Sequence, residues 1–268
     1  MPGYQLKDPI QKSVLPSILT EISGLTYLEG DLFACVQDEN GILFIYNSKE
    51  NRIEKEISFH VDGDYEGIAK VNKSIYILRS DGVIFEIEDY KADDLVTHEY
   101  VTGIPADNNE GLCYDPAENR LLVACKSKIG KGPEFKDKRV IYAFDLSTNK
   151  LSEEPVLEID IQKIKNFALA NKIDLPTREK KKGEEAIIRF RTSAICIHPI
   201  TGHLYLLSAA DHMLFVFDER RELIHMELLD PRVFNKAEGV TFFENGDMLI
   251  TNEGQEGSPT LLKFRFSE

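Results

Sequence analysis

The pattern Glu-Gly-apolar is written three times in this chain, in "YEGIA" (65–69), "NEGLC" (109–113) and "AEGVT" (237–241), each time at the head of a strand-like run. The slot of Glu66, Glu110 and Glu238 is filled by Ser23 in "ISGLTYL" and by Ser193 in "TSAICIHP". The spacings are 43 (23 to 66), 44 (66 to 110), 83 (110 to 193) and 45 (193 to 238), so three of the four share one period. Self-similarity at such a period restricts the fold more than any composition does.

Behind each anchor the same order of segments returns. An apolar strand ("GLTYL", "GIAKV", "GLCYD", "AICIH", "GVTFF") leads through a polar turn into a second ("DLFACV", "SIYILR", "RLLVAC", "HLYLLS", "DMLITN"). A third follows ("GILFIY", "GVIFEI", "RVIYAF", "HMLFVF", "TLLKFRF"), and four of the repeats add a weaker fourth, such as "RIEKEISF" or "ELIHMEL". Short runs rich in β-branched and aromatic residues, separated by Gly, Asn and Asp, predict antiparallel meanders. Four strands per unit of this length predict a propeller blade.

The sequence therefore predicts an all-β, five-bladed β-propeller forming one domain over residues 1–268. The 83-residue interval leaves a six-bladed ring as the alternative. Its excess lies in a charged loop around "SKIGKGPEFKDK" and in residues 163–189, which contain no Glu-Gly start; "IQKIKNFALANKI" has helical apolar spacing instead. The fifth repeat ends after three strands, so the N-terminal "YQLKDPI" (4–10) is expected to supply its outer strand and close the ring, removing an open sheet edge.

Composition excludes some classes. Against 32 Lys and Arg stand 46 Asp and Glu, a formal charge of −14, which argues against a general nucleic-acid binder. No apolar stretch approaches the roughly 20 residues of a membrane span. Cys35, Cys113, Cys125 and Cys196 each lie inside an apolar run and are expected as buried strand thiols. The opening "MPGYQLKDPI" lacks a signal-like apolar region, which fits a cytoplasmic chain or one whose signal has been removed.

First strands of propeller blades line the central channel, so positions 23, 66, 110, 193 and 238 are expected to form one ring at a channel mouth. Converging carboxylates must share protons, pair with bases or bind a cation. Glu66, Glu110, Glu238, Ser23 and Ser193 offer hard oxygen donors suited to Ca²⁺. The rival is internal neutralisation: second strands return to the same mouth, where Arg79 and Lys126 can pair with Glu66 and Glu110. The two can coexist.

The chain resembles the SdiA-regulated family of β-propeller proteins, through "EISGLTY…LFACVQDENG", "DYEGIA", "NNEGLCYDP", "TSAICIHPITGHLYLLSA" and "KAEGVTFFENGDMLITNEG" at the five blade starts in order. That family is related to calcium-dependent lactonase-like and phytase- or esterase-like propellers. The resemblance implies a central Ca²⁺ site and a periplasmic or envelope setting, without an agreed activity. Two functions follow as expectations. One is a monomeric propeller with an axial cation, binding a small molecule or a protein ligand at the mouth. The other is a calcium-dependent hydrolase of small anionic esters, lactones or phosphoesters, with Asp38 or Glu253 as base and Arg79, Lys126, Arg191 and Asn252 holding the substrate. No His or G-x-S-x-G nucleophile converges on the ring.

Overall fold

The computed structural model describes residues 1, 3–106, 108–180 and 183–267. Five antiparallel sheets stand around one axis, each beginning with its anchor strand innermost. Blade one is Ile22–Glu29, Leu32–Gln37, Ile42–Asn47 and Arg52–Ser58. Blade two is Tyr65–Val71, Ser74–Arg79, Val83–Ile87 and Thr97–Val101. Blade three runs Asn109–Asp115, Arg120–Cys125 and Lys138–Asp145, and its third strand pairs outward with both Lys150–Leu151 and Leu157–Asp160. Blade four is Ala194–Ile197, Leu204–Ser208, Met213–Phe217 and Leu223–Leu228. Blade five has Ala237–Phe242, Met248–Asn252 and Thr260–Phe264 from the C-terminal end of the chain. The five-bladed expectation holds.

Ring closure also holds, but by different residues. The outer strand of blade five is Gln11–Val14, paired antiparallel with Thr260–Phe264, rather than 4–10. The earlier segment is more apolar and is used as packing instead. Tyr4 and Leu6 are buried between blades four and five, and the Tyr4 hydroxyl donates to Gly246 O at 2.5 Å while meeting His198 Nε2 at 2.8 Å.

The core is divided as the blades are. Five apolar clusters fill the five interfaces between neighbouring blades, so each sheet is buried on both faces and its middle strands read as continuous apolar runs. Cys35, Cys113 and Cys125 are buried in these layers and Cys196 is half-buried, all unpaired. The insertion carries the expected helix, Ile161–Ala170, whose N-terminus is capped by Asp160 accepting from Gln162 N at 2.8 Å. Ile161, Ile164 and Ala168 bury one face of that helix against blades three and four. Beyond it stands a hairpin, Thr177–Lys180 with Gly183–Ala186, where no strands were expected; its sequence is charged throughout and has no apolar alternation. Among the described residues no helix is long and apolar enough to cross a membrane.

Candidate functional site

Alternation along the inner strands stacks their side chains in rows down the axis. Ser23, Glu66, Glu110, Ser193 and Glu238 line a constriction of only about 10 Å³. Two residues further on, Leu25, Ile68, Leu112, Ile195 and Val240 line both this constriction and a separate space of about 180 Å³ beyond it. The channel is thus closed by an apolar plug, with the carboxylate ring on one side of it only.

The pairing register shows why the anchor is followed by glycine. In blade one Ile22 pairs with Gln37 and Gly24 with Val36, leaving Ser23 as the extra residue of a β-bulge. Glu66, Glu110 and Glu238 occupy the same unpaired position in their blades. A bulge bends the strand and re-aims one side chain, here toward the axis. Glycine follows because the inner backbones nearly touch. A Cβ on Gly67 would lie 2.8 Å from Leu112 Cβ and 2.9 Å from Glu110 O in the next blade. The two serines tie blades together: Ser23 Oγ donates to Tyr65 O at 2.6 Å, and Ser193 Oγ to Ala237 O at 2.8 Å. Each accepting carbonyl belongs to the residue just before a ring glutamate.

Charge balance in the mouth is uneven. Lys126 forms an ion pair with Glu110, which is 1% exposed, while Lys236 pairs with Glu253 and reaches Glu238 at 3.4 Å. Among the described residues no lysine or arginine forms an ion pair with Glu66. Burial, with the Glu110 charge beside it, pushes the Glu66 carboxyl up to about 9, so at neutral pH it keeps its proton. Burial likewise raises the Glu110 carboxyl, against the lowering effect of Lys126. Glu238 is pushed up to about 7, by burial first and then by Glu110. Burial also raises Asp38, and Glu253 adds to the effect; Asp38 Oδ1 is buried without a hydrogen-bond partner. Lys126 and Lys236 are raised, because the carboxylates around them outweigh the burial that opposes their charge.

Internal neutralisation is therefore real at Glu110, as the sequence allowed, but not at Glu66. Arg79 turns away from it: its Nη2 lies 2.9 Å from Asp81 Oδ2 and its guanidinium covers the Phe85 ring at 5.3 Å. An i, i+2 carboxylate on the same turn competes with the axis and wins. Asn252 is fully buried, its amide donating to Val233 O at 3.1 Å and Thr260 Oγ1 at 3.0 Å. Glu253 stands at the mouth but is tied to Lys236, while Asp38 stands there without a lysine of its own. Arg191 and Lys126 line one cavity on the blade-three side. Lys236, two residues before an anchor, was not singled out from the sequence. The signal was available, since positions two before the anchors (Glu21, Asp64, Asn108, Arg191, Lys236) form an outer tier whose carbonyls or amides meet the ends of the second strands.

The ring's donors are all oxygens, which suits Ca²⁺. As arranged, however, both serine protons are spent on carbonyls and two ammoniums sit among the carboxylates. Among the described residues no group of three or more His, Cys, Asp or Glu is spaced to hold a metal ion. Donor chemistry fits the ion; a ready-made cage of three carboxylates is not there.

No family model matches the chain, and no curated protein sequence does. Solved structures match it in fold. Glutaminyl cyclase from Myxococcus xanthus superposes with a TM-score of 0.61 at 12% identity, over 97% of this chain and 96% of that one. A luciferin-regenerating enzyme gives 0.55 at 10% identity, over 96% and 95%. A streptogramin B lyase gives 0.51 at 12% identity, over 96% and 97%. At such identities the likeness is one of architecture: the chain is a β-propeller, and what these enzymes act on is theirs.

Proposed function

We propose that the protein is a binding propeller of the SdiA-regulated type whose mouth takes up a cation, Ca²⁺ being the candidate, and presents a small-ligand site around it. The observation that carries this reading is the excess of acid at the axis. Glu21, Asp38, Asp64, Glu66, Glu110, Glu238 and Glu253 act on one another there, and among the described residues Lys126 and Lys236 offset them. A site short of positive charge binds protons when nothing better is offered, and a divalent ion competes with those protons. Glu66, Glu110 and Glu238 would hold the ion, and its chemistry would be to neutralise and rigidify the ring. The family assignment is supported by its motifs falling, in order, at the five blade starts.

The test is thermal unfolding of chelator-treated protein with and without added Ca²⁺, beside the Glu238→Gln variant. A rise in Tm for the wild type that shrinks in the variant supports the reading. Equal curves with and without the ion sink it. A hydrolase of small anionic esters, lactones or phosphoesters is the second reading. One feature favours it: Asp38 is a half-buried mouth carboxylate with one oxygen unpartnered, as a general base requires. Turnover of a lactone and phosphoester panel that disappears in Asp38→Asn would shift the balance to it.

A further inference from the structure

Blade three differs from the others in one loop. Between its second and third strands lie residues 126–137, twelve positions, where the same connection takes three to seven elsewhere (38–41, 80–82, 209–212, 253–259). Loops of this length inside a compact domain commonly carry function. With Arg139 and Arg191 this loop walls a cavity of about 570 Å³, the size of a small-molecule site. Among the described residues, six of the eleven that line it are Lys or Arg and none is Asp or Glu, in a chain whose net charge is −14. Lys126 is committed to Glu110. Among the described residues Lys128, Lys131, Lys136, Arg139 and Arg191 make no ion pair.

The wall is built rather than merely exposed. Arg139 donates through Nε to Phe190 O at 2.8 Å, through Nη2 to Arg189 O at 2.7 Å and through Nη1 to Lys138 O at 2.7 Å. Its guanidinium is a fixed charge that joins the end of the loop to the segment bearing Arg191. That segment is pinned from the other side: Asp211 accepts from Arg189 N at 2.9 Å and Phe190 N at 2.8 Å, and Ser208 Oγ donates to it at 2.7 Å. Phe190 is fully buried and holds a left-handed φ of 46°, a conformation that a non-glycine residue adopts only when its surroundings enforce it. Arg191 is anchored through its backbone N, which donates to Ser208 Oγ at 3.1 Å. Burial first, then the Arg191 charge, lowers the Arg139 pKa against the opposing effect of Asp137 and Asp211. An anion between Arg139 and Arg191 would relieve that repulsion.

We propose that this cavity is a binding site for a small phosphorylated ligand, with the Arg191 fork and the ammoniums of Lys128, Lys131 and Lys136 receiving the phosphate and Arg139 supplying a fixed background charge. A single carboxylate would leave four of the five cations unmatched, whereas a phosphate monoester or diphosphate supplies two or three negative charges in one compact group. Arg forks also match phosphate geometry. The site lies beside the acidic ring and does not depend on the ring holding a cation.

Calorimetric titration with inorganic phosphate, pyrophosphate and citrate tests it. Pyrophosphate should bind saturably in the range of about 1 mM or tighter. The double variant Lys136→Gln/Arg191→Gln should weaken it at least about tenfold with Tm unchanged. Lys49→Gln/Lys55→Gln, on the outside of blade one, should leave it as it was. Glu66→Gln/Glu238→Gln should also retain it, which separates this site from the axial one. Absence of saturable binding, equal affinity in the Lys136/Arg191 variant, or citrate binding more tightly than pyrophosphate would overturn the assignment.

Discussion

Replacing Glu66 with glutamine should flatten the dependence of stability on pH above neutrality. In the folded protein the Glu66 carboxyl sits at about 9, against an ordinary value near 4.5. The folded chain therefore keeps a proton that the unfolded chain has released. Its contribution is complete below the unfolded value and is lost as pH rises through about 9. Between pH 7 and 9 the ceiling on that loss is two units at 1.36 kcal/mol each, about 2.7 kcal/mol. Solvent reaching the half-buried carboxyl reduces this to about 1–2 kcal/mol. Glutamine keeps the shape but cannot ionise. Urea unfolding of both proteins at pH 7, 8 and 9, in chelator, should give curves that diverge, with the variant the more stable at pH 9. Parallel pH profiles would mean that Glu66 is not held protonated at the axis.

Three further outcomes follow from the same geometry. Lys126→Met leaves the buried Glu110 carboxylate without its ammonium and should cost about 3–5 kcal/mol in urea unfolding; adding Glu110→Gln should restore at least half. Gly67→Ala forces a Cβ against the backbone of blade three and should cost about 1–3 kcal/mol, whereas Ala194→Gly, at the slot where blade four already carries a side chain, should cost under about 1 kcal/mol in the same assay. Asp160→Ala removes the cap of the inserted helix and should lower stability by about 1 kcal/mol, read as a drop in Tm without change at the mouth.

The blades were legible because strand alternation and a repeated anchor are written directly in residue order. Buried middle-strand runs such as 121–125 and 204–207 are apolar without interruption, and the turns between strands carry Asn or Gly. The convergence of Glu66, Glu110 and Glu238 followed from the repeat alone. The bulge that aims them did not, since a one-residue slip of register leaves no trace in composition; the Glu-Gly pair is its only mark. The closing strand was placed too early because Tyr4 and Leu6 look like strand residues, and nothing local says that they fill a gap between blades. Blade symmetry allows Arg79 to pair with Glu66, but Asp81, two residues away, is the nearer partner. The cationic cavity was half visible in Lys126 and Arg191. Its other members lie in a loop with no repeat to predict where it folds.

The central claim is that the ring is short of positive charge and exchanges a proton for a cation. Titration of Ca²⁺ into chelator-treated protein at pH 7.5, in two buffers of different ionisation enthalpy, measures binding and proton release together. The account predicts one saturable site that releases about one proton in the wild type and fewer in Glu66→Gln. Binding without proton release, or no binding heat in either buffer, would contradict it.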